Sequence, residues 1–115
     1  MRHIGNGRMI HAKDKELKIW RELIGWKAKE AGATPSSMPI FMVMNFRVKK
    51  PKSVKRIFPT VPPDLDKYIR GVLDALTGIA YLDDSQVITI QATKRYALVA
   101  GVDIQISEQL EQMFE

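Results

Sequence analysis

Asp64 and Asp66 stand two residues apart behind a basic, proline-rich stretch, and Asp83 and Asp84 follow one helix-length later. Five of the chain's 13 Asp and Glu fall between Asp64 and Asp84. Carboxylates converging on one point repel each other strongly unless a cation neutralises them. Oxygen ligands with no His or Cys nearby suit Mg²⁺ or Mn²⁺ rather than zinc. An ion so held polarises a phosphodiester, lowers the pKa of a bound water and stabilises a leaving oxygen. The competing reading is purely structural, because Asp commonly caps helices and an Asp-Asp pair after glycine is common turn chemistry. An extended approach to a helix start lets Asp64 and Asp66 point to the same side. Asp83 and Asp84 open a strand, where consecutive side chains face opposite ways, so one of the two is expected as a direct ligand.

The elements that must position these residues follow from periodicity. Lys13 to Ala31 reads as a helix, with Leu17, Trp20, Ile24, Ala28 and Ala31 on one stripe, widened by Leu23 and Trp26. Both tryptophans are expected in core or interface packing, and Gly32 ends the helix. After a turn at Pro35–Pro39, Ile40 to Val48 reads as a strand with Ile40, Met42, Met44, Phe46 and Val48 on one face. Pro51–Pro63 is expected to be a mobile loop. A second helix is expected from near Asp66, its N-cap, to near Gly78. Its buried stripe is Leu65, Tyr68, Ile69, Val72, Leu73 and Leu76, while Asp66, Arg70 and Asp74 share another face. A long strand from about Ser85 to Leu98 follows, placing Lys94 on the face of Asp84 if no bulge intervenes. A Gly101 turn, a short strand from Val102 to Ile106 and a frayed C-terminal helix complete the chain, whose first residues, Met1 to His11, read as irregular. The order α-β-α-β-β-α predicts one α+β domain over residues 1–115, its helices packed on a small mixed or mostly antiparallel sheet.

Composition narrows the possible partners. The 115 residues, 45% hydrophobic and 27% charged, fit a single globular domain. The absence of cysteine excludes a disulfide scaffold and any thiolate metal site, and suits a reducing cytoplasm. No apolar run resembles a signal peptide or a membrane span, so the expected location is cytoplasmic. Fourteen of the 18 Lys and Arg precede Ile57, against four of the 13 acids. Lys49, Lys50, Lys52, Lys55 and Arg56 crowd a stretch with no acid from Ala31 to Pro63. Such a surface suits a polyanion; it also suits a solvated loop that aids solubility.

The run Pro63-Asp64-Leu65-Asp66-Lys67-Tyr68-Ile69-Arg70-Gly71-Val72-Leu73-Asp74-Ala75-Leu76-Thr77-Gly78, then Tyr81-Leu82-Asp83-Asp84-Ser85-Gln86-Val87 and Lys94, resembles the RusA-type Holliday junction resolvases of bacteria and phages. That family's pattern is D-x-D-N-x-x-K, a D-A-L helix segment, D-D-x-Q and a strand carrying Lys. The resemblance implies a homodimeric, Mg²⁺- or Mn²⁺-dependent endonuclease that resolves four-way DNA junctions by paired symmetric nicks in recombination and repair. It implies that Asp64, Asp66 and Asp84 are the catalytic metal ligands and that Asp83 supports them from beside the metal. Arg70 falls where the family commonly has a catalytic Lys, and Lys67 where it has Asn. Arginine keeps the charge that steadies a phosphate but cannot act as a general acid. Relatives usually carry a further strand before the segment that here reads Gly5-Asn6-Gly7-Arg8, which leaves two readings: a shortened start, or a sheet that lacks this edge strand.

The mechanism this predicts has Arg70 neutralising the scissile phosphate, with Lys94 and Asp74 in supporting roles. Lys49, Lys50, Lys52, Lys55 and Arg56 grip flanking phosphates, while Phe58 either stacks on an unpaired base or anchors the loop. Paired cuts need two sites related by a two-fold axis, hence a homodimer. The alternative is a non-catalytic relative that only binds branched DNA. A third reading makes the acids mere caps in a basic domain with protein partners.

Overall fold

The computed structural model describes residues 14–109, with side chains from residue 18 onward. Helix α1 spans Asp14–Glu30, strand β1 Ile40–Lys49, helix α2 Leu65–Leu76, strand β2 Val87–Ala97 and strand β3 Gly101–Glu108. The fold is α+β with a mixed sheet in the order β2-β1-β3. β1 runs parallel to β2 and antiparallel to β3. A parallel pair cannot be closed by a hairpin, and α2 is the crossover that returns the chain to the starting end of the sheet.

Alternation decides which face the helices cover. Ile40, Met42, Met44 and Phe46 of β1 are buried, as are Val102, Ile104 and Ile106 of β3. They form one core cluster with Trp20, Ile24 and Ala28 of α1 and with Tyr68, Val72 and Leu76 of α2. Tyr68 links the layers: its ring stacks on Phe46 at 5.1 Å and meets Trp20 at 6.3 Å. Gly71 lets α2 pack directly on α1, because a Cβ there would lie 2.5 Å from the Trp20 ring.

β2 and β3 are consecutive in the chain but flank β1 instead of pairing. Residues 98–100 therefore step across one strand, a distance of roughly 10 Å that three extended residues can span. Arg47 of β1 secures this crossing. Its guanidinium holds Asp103 through Nε at 3.1 Å and Nη2 at 3.3 Å, and Nη1 donates to the Val99 carbonyl at 3.0 Å. Gly101 leaves room for that guanidinium, which a Cβ would strike.

Several expectations are corrected. α2 begins at Leu65, so Asp64 precedes it and Asp66 lies inside the first turn instead of capping it. Asp64 itself is extended (φ −69°, ψ 150°), and helical geometry starts immediately after it. β2 starts at Val87 because Asp84–Gln86 wind into a 3-10 turn, so Asp84 and Lys94 share no strand face. Trp26 is 63% exposed. It sits about 240° around the helix from Trp20, off the stripe that meets α2. Ala31 is exposed just past the helix end. β3 runs on to Glu108, past the expected Ile106. The expected C-terminal helix beyond it, the Gly5–Arg8 segment and the Leu17 side chain lie outside the described residues.

Gly71→Ala is expected to lower stability although alanine favours helix by about 1 kcal/mol. Overpacking against a rigid indole costs about 1–3 kcal/mol, so a net loss near 1 kcal/mol and a melting midpoint several degrees lower should appear in a thermal melt.

Candidate active site

Asp64 holds the N-cap position of α2, where its carbonyl accepts from the N–H of Lys67 at 3.1 Å. Its side chain makes no capping hydrogen bond. The carboxylate is exposed and is not spent on the helix it precedes. Asp66 is exposed two residues further on, in the first turn, where the positive end of the helix favours a negative charge.

Asp83 and Asp84 take different roles in one turn. The Asp83 carboxylate accepts from the Ser85 N–H at 2.9 Å as the cap of the 3-10 turn. The Ser85 donors hold its pKa below the usual carboxylate value. Asp84 instead turns to α2, where Arg70 Nη1 meets its Oδ2 at 3.1 Å. Arg70 also approaches Asp74 at 3.9 Å, and Asp74 meets Arg21 of α1 at 3.2 Å. Arg21, Asp74, Arg70 and Asp84 thus form a chain of alternating charge across both helices and the turn. These side chains are 36–64% exposed, so solvent screens each pair and the chain orients groups more than it stabilises the fold.

Gln86 secures the turn through all four of its hydrogen-bonding positions. Its Oε1 accepts from the N–H groups of Leu82 at 2.9 Å and Asp83 at 2.8 Å. Its Nε2 donates to the carbonyls of Ser36 at 2.8 Å and Met38 at 2.9 Å, on the segment entering β1. Tyr81 braces the other side, donating to the Leu73 carbonyl at 2.8 Å; burial pushes its pKa well up and keeps that proton in place.

A groove of about 600 Å³ runs along α2, lined by Arg21, Pro63, Asp66, Lys67, Arg70 and Asp74 among others. Asp66, Arg70 and Asp74 therefore do share one face. Asp64, Asp66 and Asp84 suit a hard divalent ion in kind, all being carboxylates with at least one free of capping duty. Among the described residues, however, no three His, Asp or Glu side chains are gathered closely enough to hold one. It is Arg70 that neutralises Asp84 in this arrangement.

The basic stretch leaves β1 with Lys49, Lys50, Lys52, Lys55 and Arg56 all exposed. Ile57 and Phe58 project beside them, 76% and 67% exposed, while the neighbouring Pro59 is the buried anchor. Lys94 points to the same loop and donates to the carbonyls of Val61 at 2.8 Å and Pro63 at 2.9 Å. Arg21, Gln86 and Tyr96 were not singled out by residue type. Gln86 was visible only as a motif letter, and the contacts of Arg21 and Tyr96 join residues far apart in sequence.

The profile of the endodeoxyribonuclease RusA family matches residues 1–107. The chain belongs to that family. It is also similar to the uncharacterized protein YqaN of Bacillus subtilis (strain 168), 42% identical over 67 residues. That alignment covers 57% of this chain and 47% of the relative, so it spans about half of the curated protein's length. No helix among the described residues is long and apolar enough to cross a membrane. Within the family motif, the D-D-x-Q letters acquire distinct structural reasons: Asp83 caps, Asp84 faces α2 and Gln86 ties their turn to β1.

Gln86→Ala should remove the side-chain partner of the Asp83 N–H and of the Met38 carbonyl, while the Leu82 N–H and the Ser36 carbonyl keep each other at 3.2 Å. A loss of about 1–3 kcal/mol in denaturant unfolding is expected, larger than for Gln105→Ala on the exposed surface of β3.

Proposed function

We propose that this chain is a metal-dependent, structure-selective endodeoxyribonuclease that resolves four-way DNA junctions as a homodimer. The observation carrying the proposal is the Arg70–Asp84 contact at 3.1 Å, which joins the two halves of the carboxylate motif at the groove containing Asp66. Asp64, Asp66 and Asp84 are the residues to hold Mg²⁺ or Mn²⁺, and Arg70 would then exchange Asp84 for phosphate. An ion held there would supply Lewis acidity and lower the pKa of a water. Arg70 contributes a fixed positive charge to the phosphate in flight but holds its proton throughout, so proton transfer to the leaving oxygen falls to solvent. Asp74 and Arg21 aim Arg70 across the groove. The exposed lysines of the 49–56 segment grip flanking backbone phosphates, and Phe58 offers a ring to an unpaired base at the branch point. Two opposed nicks need two such sites about a two-fold axis.

The second reading, a DNA-binding relative without turnover, is favoured by the same contact, since Arg70 already satisfies Asp84. A synthetic four-way junction separates the two. With Mg²⁺ or Mn²⁺ the protein should cut it in preference to linear duplex; binding without any cutting in either metal would establish the second reading. Asp66→Asn should retain junction binding and lose at least about a hundredfold in cleavage rate; an undiminished rate would remove Asp66 from the metal site. The triple replacement of Lys50, Lys52 and Lys55 by Ala should reduce the slope of log affinity against log salt by up to about three, in a filter-binding titration.

A further inference from the structure

Lys94 and Tyr96 stand two residues apart on β2, opposite Phe46 and Val48 of β1 in the sheet register. Ile90 and Ala92 on the same side of β2 pack against the core cluster. Beyond them the side chains become polar, and the loop leading from β1 to α2 lies against this end of the sheet. A cavity of about 260 Å³ between them is lined by Val48, Arg56, Val61, Pro63 and Tyr96 among others.

The chemistry of that loop explains why a lysine is needed. Pro62 and Pro63 have no N–H, so the segment before Asp64 offers carbonyl acceptors where another segment would offer donors as well. An ammonium group has three donors and no acceptor, and Lys94 spends two of them on the carbonyls of Val61 and Pro63. Tyr96 holds the other part of the loop. Its hydroxyl accepts from Arg56 Nε at 2.9 Å, and its ring lies 5.9 Å from Lys50 Nζ and 6.0 Å from Arg56 Cζ. The Arg56 bond uses Nε and does not consume the terminal nitrogens.

We propose that Lys94 and Tyr96 are positioning residues that lock the basic loop onto β2 and fix its register against Asp64, and that Lys94 makes no contact with DNA. This rests on the function proposed above, in which the loop grips phosphates and Asp64 belongs to the cleavage site. A free segment of this length would wander on the order of 20 Å end to end. A misplacement of about 1 Å at a reacting phosphate already costs roughly a hundredfold in rate. The two side chains remove that freedom from opposite ends of the loop.

Trypsin provides a readout independent of nuclease activity, because Lys52, Lys55 and Arg56 are exposed cleavage points inside the loop. Lys94→Met and Tyr96→Phe should each quicken native-state cutting there by about tenfold, with the thermal melt still cooperative. Lys94→Met should also lower the junction-cleavage kcat with KM within about twofold, and leave the salt slope of binding unchanged. Unchanged loop cutting in both variants would overturn the proposal. So would a salt slope reduced by about one in Lys94→Met, which would assign Lys94 to a phosphate. Should Lys94→Met fail to fold, Tyr96→Phe keeps the ring and carries the trypsin measurement alone. Faster loop cutting in the variants of a parent protein that cleaves no junction supports the locking role and sinks only the nuclease reading.

Discussion

Tyr68 lies between Phe46 of β1 and Trp20 of α1, and the placement of α2 follows from that ring. The stack fixes how α2 is rotated about its own axis. With Tyr68, Val72 and Leu76 turned inward, Asp66, Arg70 and Asp74 are turned out to the groove side. Gly71 completes the arrangement by leaving space for the indole where any side chain would intrude. Burial raises the pKa of Tyr68, so this central residue stays neutral and adds no charge to the core. The apolar packing therefore precedes the polar site in the causal order, and the exposed charges inherit their geometry from it.

The polar contacts then divide into two kinds. Those of Gln86 and Asp83 are backbone contacts, and they set the shape of the turn that carries Asp84. Those of Arg21, Asp74, Arg70 and Asp84 join side chains exposed enough for water and salt to screen them. Screened pairs of this kind contribute little to stability. They can be broken and remade at little cost.

The loop between β1 and α2 is tied to the sheet without secondary structure of its own. Proline removes donors and limits backbone freedom, and the missing donors are replaced by one lysine from the neighbouring strand. The density of Pro and the lack of periodicity mark this segment as a loop. What periodicity cannot express is a bond from Lys94 or Tyr96 to residues more than thirty positions earlier.

Sequence by itself determined the inventory and most of the scaffold. The alternation of Ile40, Met42, Met44 and Phe46 set the buried face of β1, and the spacing of Asp66, Arg70 and Asp74 placed them on one side of a helix. Local pattern suffices there because strand and helix periods are properties of the backbone. Tertiary structure decided what adjacent letters cannot distinguish. Asp83 and Asp84 are chemically identical neighbours, yet one caps its own turn and the other faces Arg70. Lys94 is a cation in a basic protein, yet its charge is spent on two carbonyls. Each outcome depends on which distant backbone or side chain arrives alongside, and that is set by the packing of α2 on the sheet.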